Sequence, residues 1–524
     1  MAVGKNFLEN LTVAMYENSF AVYREYIQNS ADSIDAALRT GLLAKEDAII
    51  DIHIEYGKRR ITVYDNACGI SMRDFKKKMM DVADSDKDRD VEKGFRGIGR
   101  LAGLGYCDRL SFRTSAKGEN KVSTIAWDGI KLRNIVNDQS QHPTSDELID
   151  VITDISYEST DEDSHFFEVT MEDVIFESDD LLEEAEVSRY LRMTAPVPYE
   201  NHFMFSNRIH QYAAEHGFRI DEYNVCVNGN QIFKPYTYKL YEGTSEAKTL
   251  YDEIDDVQFR IFSDEAGSPV AWLWYGVSKY EKNIPVINQM RCIRLRKDNI
   301  QIGDEYTVSK YFKESRGNAY FVGELYALDK NLIPNARRDY FNPSPATQQL
   351  ENLTHEFFYT ELYNLYHYAS KLRSAQRTLA TYRKKENEYV SKLSNAGFID
   401  ESEKQAAEKE IEDDRARVQK AEREIANRKK DTESNDVYGQ VFTAIEKAYA
   451  PEDDEAVQTS LQELQEQNKG KHKYLTQTLS SFSKKEQKLI SRIYGIIKSI
   501  LPPDMADPII KRIQENLKQV RQVT

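Results

Sequence analysis

The sequence predicts an α+β protein whose last third is helical. Three observations predict it. Short alternating apolar runs sit beside amphipathic helical stretches up to about residue 195, a second strand-rich stretch follows between prolines, and a heptad pattern begins at Phe358. Residues 18–40 read as a helix with one apolar face. Residues 48–56 (AIIDIHIEY) and 60–64 (RITVY) alternate like two strands, with Gly57 starting the turn between them. SMRDFKKKMMDV reads as a helix with Ser71 as its N-cap. The polar, glycine-bearing ADSDKDRDVEKGFRGIGR reads as a long loop, and RLSFRTS, KVSTIAWDG and FFEVTMEDV as strands. The chain then breaks at Pro196–Pro198, and VCVNG, VQFRIF, VAWLWYGV and AYFVGELYAL are the strands of a second α/β region closed by Pro343 to Pro345.

Beyond that point the period changes. Phe358, Leu362, Leu365, Ala369, Leu372, Gln376, Leu379, Arg383, Glu386, Val390 and Leu393 step by four and three. SNAGF turns the chain, and Ala407, Ile411, Asp414, Val418, Ala421 and Ile425 repeat the step, so an antiparallel coiled-coil arm is expected. The tail holds Leu489, Ile490, Ile493, Ile496, Ile497 and Ile500, then Ile509, Ile510, Ile513 and Leu517, with Pro502 and Pro503 separating two helices that need a partner surface. The expected domains are 1–195, 196–350, the arm at 351–433 and a helical region at 434–524.

Charge narrows the function. The 524 residues carry 71 basic and 87 acidic side chains, a net charge of -16. Residues 134–188 contain no Lys or Arg but 18 Asp or Glu, more than the whole surplus, whereas residues 351–524 balance at 29 of each sign. Such a chain does not bind nucleic acid through its overall charge. No apolar run reaches the roughly 18 residues of a membrane span, and the start has no signal-like apolar block. The four cysteines are scattered without CxxC spacing, so reduced thiols, no zinc site and a cytoplasmic location are expected.

The chemistry concentrates in three places. On a helical wheel with Glu25 at zero, Asn29 falls at about 40° and Asp32 at about 340°, opposite Phe20, Tyr23, Ile27, Ile34 and Leu38. These three polar residues form a narrow, open stripe. Asp65-Asn66-Ala67-Cys68-Gly69-Ile70 follows a strand. An acid at a strand end can accept a hydrogen bond from an exocyclic amine, and the small residues after it let a flat ring approach the backbone. Gly94-Phe95-Arg96-Gly97-Ile98-Gly99-Arg100 precedes an apolar stretch, and such glycines turn N–H groups toward an anion. Lys87, Arg89, Lys93, Arg96 and Arg100 make this the most basic part of an acidic region.

In order and spacing these elements resemble the N-box and two glycine boxes of the GHKL ATPases, the superfamily of gyrase, the ninety-kilodalton heat-shock chaperone, histidine kinases and MutL. The resemblance implies a Bergerat α/β sandwich that binds ATP with Mg2+. By position, Glu25 would be the general base, Asn29 the magnesium ligand, and Asp32 a support near sugar and base. Asp65 would read the adenine amine, Gly69 would give the ring room, and Thr170 would support the adenine water. Gly94, Gly97 and Gly99, with Arg96 and Arg100, would wrap the phosphates. Ala67 departs from the usual glycine, and Arg100 stands where the chaperone has an aromatic residue. Residues 319–341 resemble the chaperone's middle-domain segment. There, Asn335, Arg338 and Asp339 match an Asn-x-x-Arg-acid loop, and Arg338 would reach the γ-phosphate, with Arg337 as its neighbour.

The resemblance implies an ATP hydrolase working as an ATP-gated switch, with a homodimer as the expected assembly. A lid at 84–99 would fold over the nucleotide, and residues 5–20 would pack against the second subunit. Three roles could use this engine. The favoured one is chaperone-like remodelling of a protein client or partner. The alternatives are a nucleic-acid clamp of the MutL or MORC type, which the acidic window disfavours, and the ATPase component of a bacterial antiviral defence system controlling a separate effector.

Overall fold

The computed structural model describes residues 18–80, 99–138, 140–394, 398, 400–433, 435–450 and 482–520. The chain divides into two units, Met1–Tyr366 and His367–Thr524. Both α/β regions expected from sequence fall in the first.

Helix α1 (Ala21–Arg39) is followed by β1 (Ile50–Glu55) and β2 (Arg60–Asp65), an antiparallel pair in the register Ile50↔Asp65 to Glu55↔Arg60. Ile50, Ile52, Ile54, Ile61 and Val63 point inward because alternate residues share a face of a strand. Helix α2 (Met72–Met80) drops Phe75 and Met79 into the same core, and Ser71 accepts from Asp74 at its start. After a 3-10 stretch (Gly99–Gly105) come β3 (Cys107–Ser115) and β4 (Lys121–Asp128).

The acidic window then forms structure that its composition hides. It contributes the end of α3 (Gly129–Asn137), then α4 (Ser145–Ile152), β5 (Thr153–Ser159) and β6 (Phe166–Val174). Helix α4 exists because Thr144 and Glu147 form a capping box over Leu148, Ile149 and Ile152. The strand order is β5-β4-β3-β6-β2-β1-β7-β8, which makes β5 an edge strand, largely exposed, as suits its TDISYES sequence.

Helix α5 (Glu184–Thr194) and helix α6 (Ser206–Glu215) lead to β7 (Val225–Val227) and β8 (Asn230–Gln231). The VCVNG strand, read from sequence as part of the second region, runs parallel to β1 instead and extends the first sheet. The hairpin β9 (Lys239–Gly243) and β10 (Lys248–Glu253) stands apart. The second large sheet is built from β11 (Asp256–Ser263), β12 (Pro269–Val277), β13 (Cys292–Lys297), β14 (Ile300–Gln301) and β15 (Val322–Ala327), in the order β11-β12-β15-β13-β14. Helix α7 (Pro345–Glu356) is capped by Ser344 and runs into a π-helical turn (Phe357–Leu362).

The second unit begins within α8 (Tyr363–Ser394) and continues with α9 (Glu401–Asp431), α10 (Asp436–Ala448), α11 (Lys484–Ile500) and α12 (Pro503–Val520). Tyr368 donates to the Arg428 carbonyl, Lys385 pairs with Asp414, Tyr389 donates to Glu408, and Lys392 pairs with Glu403. Partner numbers falling as the first numbers rise means that α8 and α9 run antiparallel. The expected seam is buried from Phe358 to Gln376 and again at Val390 and Leu393, but Arg383 between them is exposed. In the tail, α11 and α12 pack through Tyr494 and Ile510, while Leu489, Ile493, Ile496 and Ile500 stay exposed. Among the described residues no helix is long and apolar enough to cross a membrane.

Candidate nucleotide site

Helix α1 carries the site, but its polar stripe is not open. Arg24, Glu25, Gln28, Ser30, Asp32 and Asp35 are all buried, and Asn29 is half-buried. Three elements cover them. Gly103 of the 3-10 stretch donates its N–H to the Tyr26 hydroxyl at 3.0 Å, and a Cβ on Gly103 would collide with that hydroxyl. Gly99 abuts the Glu25 carboxylate, where a Cβ would not fit. From α5, Tyr190 stacks on Phe20 beside the charges of Arg24, Glu25 and Arg338, and burial raises its phenol pKa. Tyr223, the third cover, donates to Asp35 at 2.8 Å.

The decisive contact comes from far along the chain. Residues 334–341 form a tight turn closed by the Pro334↔Phe341 bridge, the Asn335 N–H to the Tyr340 carbonyl (2.8 Å) and the Asn335–Asp339 side-chain bond. Arg338 sits in it at φ 56°, a left-handed conformation unusual for a non-glycine residue. The Gly303 N–H holds its carbonyl at 2.8 Å. So fixed, Arg338 donates from Nε to Glu25 Oε1 at 2.7 Å, while Arg24 donates to the Arg337 carbonyl at 3.2 Å. The Asn335, Arg338 and Asp339 group expected from sequence is thus one turn that places its arginine on the helix acid.

The second motif forms a pocket floor. Asp65 is 1% exposed, and the Ala67 N–H donates to its Oδ1 at 3.2 Å. Its Oδ2 is buried without a hydrogen-bond partner among the described residues. A buried acceptor left empty is costly unless a ligand fills it. Burial raises the Asp65 carboxyl to about 7, against the nearby Ser30 hydroxyl and the Ala67 N–H, which lower it. Gly69 has φ 61°, and a Cβ there would strike the Ser115 and Phe166 carbonyls. The visible demand for glycine is therefore backbone contact, a different reason from room for a ring. Asn66 holds the loop from behind, accepting from the Ile49 N–H and donating to the Asp47 carbonyl.

One expected site residue lies elsewhere. The register pairs Asp65 with Phe167 and Thr62 with Thr170. Directly paired residues share a face and neighbours alternate, so Thr170 is on the opposite face of the sheet from Asp65. Its hydroxyl meets Thr62 at 3.5 Å. Gly94, Arg96 and Gly97, with the lid at 84–98, the segment 5–17 and the turn at 395–397, lie outside the described residues. Arg100, half-buried, and Gly99 open the 3-10 stretch. Sequence reading missed Gly103 and Tyr190. Gly103 continues the glycine spacing Gly97-x-Gly99-x-x-x-Gly103, a signal that was present. Tyr190 had none.

The residues fit an adenine nucleotide: an empty acceptor for an amine, a helix acid and an arginine for phosphate chemistry. For a metal, the described residues hold no cluster of three or more His, Cys, Asp or Glu. Asn29 offers the hard amide oxygen that Mg2+ accepts beside water and phosphate oxygens. No curated protein matches the chain. Residues 16–160 match the family model described as histidine kinase-, DNA gyrase B- and HSP90-like ATPase. That match covers α1, both Asp65 and Gly99, and the sheet through β5, so the chain carries a GHKL-type ATPase domain.

Proposed function

We propose that the chain is a Mg2+-dependent ATP hydrolase that works as an ATP-gated, dimeric conformational switch on a protein partner. The observation that carries this reading is the Arg338–Glu25 bond, because it joins the turn after β15 to the helix acid across 313 residues of sequence. Asp65 Oδ2 accepts the adenine amine. Glu25 takes the proton of the attacking water. Arg338 stabilises charge on the phosphoryl group, for which its planar fork is suited. A terminal phosphate competes with Glu25 for that fork, and the exchange frees the carboxylate to act as base. Mg2+, when bound, would be held by Asn29 and would supply charge neutralisation. Because one arginine serves both partners, nucleotide binding is coupled to the position of the 334–341 turn, which is what a switch requires.

A protein partner is preferred to nucleic acid because the acidic β5 edge repels phosphate backbones. The test is steady-state ATP hydrolysis by the purified chain and its Glu25→Gln variant. We expect ATP binding to persist and turnover to fall by roughly 10²–10⁴-fold, the contribution of a general base. Wild-type turnover in Glu25→Gln would remove the base assignment. Stimulation by DNA but not by unfolded protein would favour the clamp reading.

A further inference from the structure

We infer that His165 is a specificity-determining residue for the nucleotide base, supplying a second acceptor beside Asp65. This rests on the adenine reading of the Asp65 pocket. Beyond the last pair of the β2–β6 ladder, Asp65↔Phe167, the His165 Nδ1 lies 2.8 Å from the Ala67 carbonyl. The bond sets the imidazole against the residue two after Asp65, in the loop that follows the acid with the empty acceptor. The Ala67 N–H is bonded to Asp65, and the Ala67 carbonyl to His165, so one residue ties the acid to the ring.

The backbone around the ring is rigid. Thr114 Oγ1 donates to the Phe166 carbonyl at 2.7 Å and accepts from the Ile70 N–H at 2.9 Å. Gly69 presses against the same Phe166 carbonyl. The residue after His165 is therefore locked to the loop that carries Asp65.

The chemistry follows from one hydrogen bond. A carbonyl oxygen only accepts, so Nδ1 carries the hydrogen and Nε2 of the neutral ring keeps a bare lone pair. An exocyclic amine has two hydrogens. Asp65 Oδ2 takes one and His165 Nε2 the other. A base with a carbonyl at that position, as in inosine or guanosine triphosphate, would set an acceptor against two acceptors. A site built to bond a donor rejects the analogue that lacks it.

The test measures dissociation constants of the full chain for ATP and inosine triphosphate, with Mg2+. His165→Asn is the informative variant, because its amide overlays Nδ1 and keeps the Ala67 bond while removing Nε2. We expect wild type to prefer ATP and His165→Asn to lose about tenfold of that preference, with KM for ATP raised and kcat unchanged, as for uniform binding. His165→Asn that keeps the full preference overturns the inference. Wild type that does not distinguish the two nucleotides overturns the adenine reading instead. Should His165→Asn fail to fold, wild type decides: N6-methyl-ATP, with one amine hydrogen, should bind about tenfold more weakly, and equal affinity overturns the inference.

Discussion

Two clusters of buried charge in the first unit behave in opposite ways. Around Glu324, every charge is answered. Glu324, Lys234 and Arg296 are 0% exposed, yet Lys234 donates to Asn299 (2.7 Å), Glu324 (3.1 Å) and Tyr326 (3.3 Å). Arg296 donates to Glu324, to the Asn299 carbonyl (3.0 Å) and to the Met193 carbonyl (2.9 Å). Tyr199 and Tyr236 donate to the same carboxylate. Burial alone would raise the Glu324 carboxyl, but Arg296 and Lys234 hold it well below the usual range, while burial and Arg296 bring Lys234 down to about 7. Around α1 the accounts stay open. Among the described residues, Asp65 Oδ2 and both amide atoms of Gln28 are buried without hydrogen-bond partners. A satisfied network specifies packing, whereas an unsatisfied one is kept for a ligand.

The comparison can be broken, starting with the largest effect. Arg338→Ala should cost about 10³–10⁵ in turnover, the range of catalytic arginines, and lower stability less than loss of Glu324 does, because Arg24 stays beside Glu25. Glu324→Ala should do the reverse, costing about 3–5 kcal/mol in urea unfolding because Lys234 and Arg296 lose their counter-charge. If the two variants exchange phenotypes, the distinction between the clusters fails.

Asp65 sharpens it through pH. Its folded pKa, about 7, lies above the ordinary carboxylate value, so its contribution to stability is complete below about pH 4. That contribution is lost as pH rises to about 7 and is constant beyond. Relative to Asp65→Asn, wild type should lose at most about 1.4 kcal/mol per pH unit across this window. Adenine nucleotide affinity should run the other way, rising toward pH 8 as the ionised acceptor forms. Parallel curves for wild type and Asp65→Asn would place the titration elsewhere. The smallest effect is at Gln28: Gln28→Met removes an unanswered buried amide and should stabilise the chain by about 1 kcal/mol in thermal unfolding. A loss of stability there would show that the amide is partnered in solution.

Much of the site was readable in advance. The order of Glu25, Asn29, Asp32, Asp65, Gly99 and the Asn335-x-x-Arg338-Asp339 group is local chemistry, and local spacing survives folding. Strand β13 was not readable. CIRLRK looks like surface, yet Arg294 and Arg296 are buried, because Glu324 and Tyr236 from other segments meet them in the interior. The acidic window hid α4 and β5 for a related reason: few apolar residues are needed at an edge.

The sequence by itself determined the α+β class, the helix that carries the acid, the strand that ends in Asp65 and the heptad helices, since periodicity and capping act over a few residues. Only the tertiary structure decided which residues meet. It set Arg338 on Glu25, put Thr170 on the face of the sheet opposite Asp65, set His165 against the Ala67 carbonyl, and gave Arg296 its carboxylate. Register and long-range closure depend on partners hundreds of residues away, and no local pattern contains them.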